Sequence, residues 1–143
     1  IGNGGMTTTE YRTHMSLWSL LAAPLLAGND LNSASPEIMS ILLNKEVIAI
    51  DQDPLGKQAK RVSKDGDLEV WARPLKGGAY AVGLFNRGAS PAKVTAHWSD
   101  IGLHGSARVR DLWKHEDLGA SAEAFSSDVP SHGVTLVKVE SSR

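Results

Sequence analysis

The 143-residue sequence has no cysteine. That excludes a disulfide framework and any thiolate metal site. It has no excess of charge of either sign: 15 basic against 16 acidic residues leave a formal charge of −1. A basic footprint for nucleic acid or for an anionic membrane surface is therefore missing. No apolar run approaches the roughly 20 residues that span a bilayer. No signal-peptide pattern is visible, and no internal repeat or low-complexity tract interrupts the chain. No GxSxG nucleophile elbow occurs. The five histidines, His14, His97, His104, His115 and His132, never fall at HxH or HxxxH spacing. Packing or surface positions are the expectation for them, with His14 inside a helix. The chain opens on Ile1 instead of Met, which suggests a processed or truncated start.

What is present divides into two halves of different periodicity. In TTTEYRTHMSLWSLLAA (residues 7–23), Thr7 and Glu10 make a capping box. Tyr11, Met15, Trp18 and Ala22 follow as an apolar stripe at helical spacing, and Pro24 stops the helix at Ala23. PLLAGND (residues 24–30) is a short apolar run between Pro24 and Gly28, the pattern of a strand buried on both faces of a parallel sheet. A second helix is signalled by Ser35 as N-cap, Pro36 at N1 and Glu37 in the first turn. Ile38, Ile41, Leu42 and Ile48 supply its apolar face.

After Pro54 the pattern becomes short strands and turns. DLEVWARPL alternates, with Leu68, Val70 and Ala72 on one face. AYAVGLFN, AKVTAHW, ARVRDLW and GVTLVKV continue it. Asp65–Gly66 and Gly77–Gly78 supply hairpin turns. This spacing predicts an antiparallel sandwich or barrel. The first half poses a problem of its own. A two-sided parallel strand needs parallel neighbours, and residues 1–50 supply none. The periodicity implies the end of a larger α/β unit.

Several residues invite a chemical reading. Asp51 and Asp53, in IDQDPLGKQ (residues 50–58), are a carboxylate pair. Retaining glycosidases hold two carboxyl groups about 5–5.5 Å apart and inverting ones about 6.5–9.5 Å, so spacing alone does not exclude them. Their arrangement counts against them. The acids must flank a scissile bond from two sides, whereas neighbours on one extended stretch approach from the same side. Asp53 also precedes a proline and starts a turn. The favoured role is bracing a joint through backbone N–H groups. Asp30 lies past the carboxyl end of PLLA, where α/β barrels place their active sites; loop bracing by Asn29 and Asp30 is the plainer role. Gly2, Gly4 and Gly5 lack the GxGxxG spacing and read as a flexible loop. Among Trp18, Trp71, Trp98 and Trp113, the first choice for sugar stacking is Trp71, opposite Leu68, Val70 and Ala72; packing between layers is the default for all four.

IGNGGMTTTEYRTHMSLWSLLAAPLLAGNDL followed by SPEIMSILLNKEVIAIDQDPLGKQ closely resembles the melibiase-type α-galactosidases, retaining glycoside hydrolases. The most specific blocks are SLW…APLLAGNDL and EVIAIDQDPLGKQ. DLEVWARPL, VRDLW and VPSHGVTLVKV resemble that family's C-terminal β-sandwich more loosely. The resemblance implies a fold of α/β plus all-β type. Residues 1–58 would be the last helix–strand–helix of a (β/α)8 TIM barrel, and 59–143 an antiparallel β-sandwich. It implies no metal or organic cofactor, and an α-galactoside as substrate. The family's catalytic aspartates follow the fourth and sixth barrel strands, and a sugar-binding aspartate lies in a WxDPDM motif. None of those motifs occurs here, so the resemblance implies no catalytic, substrate-binding or metal residue in this chain. It implies an inactive C-terminal portion of an α-galactosidase, dependent on a complementing barrel fragment or prone to self-association. A carbohydrate-binding or stabilising β module is the alternative, as is one subunit of a split glycosidase.

Overall fold

The computed structural model describes residues 1–142. Helix α1 (Thr8–Leu20) begins at the expected capping box: Glu10 N donates to Thr7 Oγ1 at 3.3 Å, and Thr7 N donates to Glu10 Oε2 at 2.7 Å. It ends in paired bonds from Ala22 N to Ser19 O and from Ala23 N to Trp18 O. This is a Schellman closure, with Ala22 at φ 54° in the left-handed position that glycine usually takes. Pro24 then prevents continuation.

The second helical region starts as the sequence predicts, at Ser35–Pro36–Glu37, but it is two helices. These are α2 (Pro36–Leu42) and α3 (Lys45–Asp51). Asn44 breaks the run by acting as the N-cap of α3. Its Oδ1 accepts from the N–H groups of Glu46 and Val47, and its Nδ2 donates to Leu112 O at 3.0 Å. A buried asparagine with all three partners in place outcompetes one more helical bond.

Residues 24–30 form no strand, contrary to the sequence expectation. Leu26 is 88% exposed. Among the described residues nothing lies beside this segment as a strand, so its backbone groups have no ladder to join. A parallel strand is a property of its neighbours as much as of its own apolarity.

The rest of the chain is antiparallel. The strands are β1 (Lys60–Asp65), β2 (Leu68–Pro74), β3 (Tyr80–Asn86), β4 (Ala92–His97), β5 (Ser106–Asp111), β6 (Glu116–Ala122), β7 (Ala124–Val129) and β8 (Val134–Ser141). The order β1-β2-β3-β8-β5-β6 makes one sheet, and β4-β7 makes a second. The β2–β3 hairpin turns on Gly77 and Gly78, both at positive φ as that turn requires. The β1–β2 loop is Gly66–Asp67, one residue beyond the predicted turn, because Asp65 pairs with Leu68. Strands β1, β6 and β7 were not evident in the sequence. The edge strands β1 and β6 bury little, and β6 is rich in small residues, so the usual apolar alternation is weak there.

Between the two sheets lies a core of Val70, Val82, Leu84, Val94, Trp98 and Val137. The opposite face of the large sheet is also covered. Tyr11, Met15 and Leu20 of α1, with Val47 and Ile50 of α3, pack on Ala81, Phe85 and Leu136. Two-sided burial explains why AYAVGLF is continuously apolar instead of alternating.

Helix α1 approaches β3 most closely at Gly83. A Cβ added there would lie 2.7 Å from Leu20 Cδ1 and 2.5 Å from Phe85 Cε2. Both neighbours are buried in a packed core and have little room to move. Gly83→Ala is therefore expected to destabilise the chain by about 1–3 kcal/mol through overpacking. Urea denaturation measures it, and a variant as stable as the parent would refute the close-approach argument.

Candidate functional site

The two sequence features that drew a chemical reading, the aspartate pair and the loop after PLLA, take separate places. Asp51 is the last residue of α3, not part of an extended stretch. It is buried, and its Oδ2 accepts from Gln52 Nε2. Burial pushes its carboxyl above the ordinary range, with Gln52 and the nearby Arg73 guanidinium opposing that rise. Asp53 lies in the following turn. Its Oδ1 accepts from Leu55 N at 3.0 Å, and its two oxygens accept from Lys76 N at 3.0 and 3.1 Å. Gly56 N closes the turn onto Asp53 O at 3.1 Å. Asp53 thus braces the joint through backbone N–H groups as expected. Asp51 does so differently, through the side chain of Gln52.

The residue sequence reasoning missed is Arg73. It projects from β2 toward the helices, on the face shared by Glu69 and Trp71, and is 1% exposed. Its guanidinium donates to Ser19 O at 2.6 Å and to Asp51 O at 3.2 Å. Those carbonyls lie in the last turns of α1 and α3, where backbone acceptors lack helical partners and the dipole is negative. One cation therefore closes two helix ends. The signal in the sequence was an arginine inside the apolar run VWARPL, a position that needs a paired role.

Asp30 braces its own loop: its Oδ1 accepts from Asn32 N at 2.9 Å. Asn29 does not share that task. Both amide atoms of Asn29 are buried without a partner among the described residues. Asn29, Ile1, His14, Trp18, Leu25 and Leu42 line an open, largely apolar groove of about 270 Å³. His14 packs against Trp18 with ring centroids 5.4 Å apart, and burial pushes its pKa down. Gly2, Gly4 and Gly5 have φ of 84°, 80° and 80° in the loop before α1.

Trp71 is half-buried, less open than the alternation implied. Its face of the sheet is covered by the helices, and its Nε1 donates to the buried carboxylate of Glu69 at 2.9 Å. Trp98 is 1% exposed. Trp113 Nε1 donates to Ser16 Oγ, and the Arg12 guanidinium carbon sits 5.9 Å over its ring. Trp18 is exposed, but on the helical arm. Of the sandwich tryptophans, Trp98 is buried, and Trp71 and Trp113 are half-buried against the core that the helices share.

Among the described residues no three His, Asp or Glu side chains converge as a metal set. The strongest electrostatic cluster is a clasp between the arm and the sheet. Arg110 of β5 donates from Nε and Nη2 to the two oxygens of Glu46, both at 2.8 Å. His115 Nδ1 lies 2.8 Å from the same carboxylate, and Arg110 also pairs with Asp117 at 3.1 Å. The bidentate bonds from Arg110 pull Glu46 from 4.5 down to about 2, against the opposing effect of burial. A depressed carboxyl stabilises the fold above its unfolded pKa, and that stabilisation is lost as pH falls through the folded one. Glu46→Gln should therefore be less stable than the parent at neutral pH. The gap should close between pH 4.5 and about 2. Thermal melts across that window read it, and a gap independent of pH would rule the clasp out as an acid-labile contact.

These features define a class: an antiparallel β-sandwich that carries a helical arm clamped across one face, with the carboxylates of Glu46, Asp51, Asp53 and Glu69 engaged in structural hydrogen bonds. Residues 1–53 match the family model for α-galactosidase A, and residues 65–139 match the α-galactosidase C-terminal β-sandwich domain. The α-galactosidase of Coffea arabica is 52% identical over 134 residues, covering 92% of this chain and 35% of that protein. That of Oryza sativa is 51% identical, covering 91% and 32%. The crystal structure of α-galactosidase I from Mortierella vinacea superposes with a TM-score of 0.93 at 40% identity, over 99% of this chain and 39% of that one. A GH27 β-L-arabinopyranosidase from Geobacillus stearothermophilus superposes at 0.91 with 29% identity, over 96% and 31%. The chain belongs to the melibiase-type α-galactosidase family, and it spans about a third of the length of the relatives it matches.

Proposed function

We propose that the chain is the non-catalytic C-terminal part of a retaining α-galactosidase. In this reading residues 1–58, which carry α1, α2 and α3, are the end of the catalytic (β/α)8 barrel, and 59–143 form the sandwich that supports it. The observation that carries it is that two α-galactosidase models match in consecutive order on either side of the Asp53–Gly56 turn. The proposed whole enzyme removes terminal α-linked galactose from oligosaccharides by double displacement. A carboxylate attacks the anomeric carbon while a carboxylic acid protonates the leaving oxygen. Water, deprotonated by that same group, then hydrolyses the glycosyl ester with net retention.

No residue of this chain takes either acid role in this reading. Asp51 is buried against Gln52, and Asp53 is engaged with Leu55 and Lys76. The similarity to a β-L-arabinopyranosidase as well as to α-galactosidases fits a portion that supports the barrel and leaves sugar choice to other residues. The apolar arm, with Trp18, Leu26 and Leu43 exposed, is the surface a barrel remainder would cover.

The test is direct. The purified chain should show no turnover of a chromogenic α-galactoside above the buffer rate. Adding a barrel fragment with the family's two catalytic aspartates should restore activity. Turnover by the chain alone would overturn the assignment, and failure to complement would remove support for a split assembly.

A further inference from the structure

The second sheet has two strands against six in the first, so it leaves part of the larger sheet uncovered. Where β1, β2 and β3 meet the 3-10 turn Trp98–Ile101, an open groove of about 400 Å³ remains. Its lining is mostly apolar: Ala72 and Ile101 are buried, and Val62 and the Tyr80 ring are half-buried. Val62 is there because of a bulge. The β1–β2 ladder steps from Arg61–Trp71 to Ser63–Val70, which leaves Val62 as the extra residue. Such bulges re-aim a side chain. All the formal charge in the lining is of one sign, from Lys57 and Lys60, and no carboxylate accompanies them. Among the described residues neither ammonium lies within ion-pair distance of a carboxylate. Arg61, Arg87, Arg108 and Arg110, by contrast, each meet one.

We propose that this groove binds a small amphipathic carboxylate, with a flat apolar body against Val62, Ala72, Tyr80 and Ile101 and its anionic group between Lys57 and Lys60. Ligand sites are concave and mostly apolar, with a few polar groups that fix orientation, and this groove has that composition. A cation is repelled by both ammonium groups. A bare inorganic anion leaves the apolar lining wet, and a neutral apolar body leaves the two charges without a counterpart. A ring bearing one carboxylate satisfies both parts of the lining. The groove lies on the sheet face opposite the helical arm, so the proposal is independent of the catalytic reading above.

Saturation-transfer NMR titration of the full chain tests it, with 3-phenylpropionate as probe and the uncharged 3-phenylpropanamide as its isostere. The acid should bind, and the amide about tenfold more weakly, since two exposed ion pairs are lost together. Added salt should weaken the acid and leave the amide unchanged. Lys57→Met and Lys60→Met should each weaken the acid about two- to fivefold. Both lysines are exposed, so unchanged melting curves verify that the variants fold. Three results would each overturn the proposal: no binding of the acid, equal binding of acid and amide, or undiminished binding of the acid by the double variant. The last would place the probe elsewhere, on the apolar groove of the helical arm.

Discussion

Arg73→Met is expected to lower the stability of the chain by about 3–5 kcal/mol, the cost typical of removing one partner from a buried charge pair. Methionine replaces much of the aliphatic stem, so the loss falls on the guanidinium. Without it, Asp51 O loses its side-chain donor at the end of α3, and Ser19 O at the end of α1 keeps only the longer bond from Ala22 N. Asp51 keeps a buried carboxylate with its counter-charge gone. The pH dependence identifies the cause. Burial already holds the Asp51 carboxyl above 3.8, and removing Arg73 pushes it further up. A raised carboxyl penalises the fold at neutral pH, and the penalty fades as pH falls and the group protonates. The variant should therefore recover part of its loss on acidification. Arg73→Met combined with Asp51→Asn should recover part of it at neutral pH. Arg73→Lys should rescue poorly, since one ammonium does not reproduce a planar fork spanning two carbonyls. Urea denaturation of the set measures each effect. A loss below about 1 kcal/mol for Arg73→Met would show that the helix ends do not depend on this side chain.

Trp98→Ala is expected to cost about 3–5 kcal/mol by leaving a cavity where the largest buried side chain stood. Trp98 is 1% exposed and closes one end of the core between the two sheets. It is also hydrogen-bonded at both levels. Its indole Nε1 donates to Ser121 O at 2.9 Å, and its backbone N–H donates to Glu123 O at 2.8 Å. Truncation empties the indole's place in the cluster that also holds Val94, Ala96 and Val109, and removes one donor from the Ser121 carbonyl. Trp98→Phe keeps most of the volume and should lose about 1–2 kcal/mol, near the value of one hydrogen bond plus imperfect packing. Near-equal stability of the alanine variant and the parent would mean that the indole sits in a site able to collapse. Neither substitution bears on sugar stacking, because no face of this ring reaches solvent.

The local signals in the chain were sound where a few neighbouring residues settle the outcome. The capping box of Thr7 and Glu10, the Ser35–Pro36–Glu37 start and the Gly77–Gly78 turn all stand where the sequence predicts. Each depends on dihedral preferences and hydrogen bonds within four or five residues. Reading failed where partners were distant. The alternation of DLEVWARPL assigned Trp71 correctly to the face opposite Val70. It could not say that α1 would cover that face. The apolarity of PLLA was real, but a strand requires a ladder, and the described residues offer none beside it. Asn44 looked like part of a helix until Leu112 O, on another element, became available to its amide.

The sequence by itself determined the family, the capped helices, the antiparallel second half and the change of pattern at IDQDPLGKQ. These follow from short-range propensity and from residue identities that need no partner to be recognised. Only the tertiary structure decided what the two aspartates do, since Asp53 meets Lys76 and Asp51 meets Arg73 across more than twenty residues of chain. The same holds for Arg73 itself. A guanidinium gains from burial only where acceptors from separate segments converge, and that convergence exists once the helical arm has packed on the sheet.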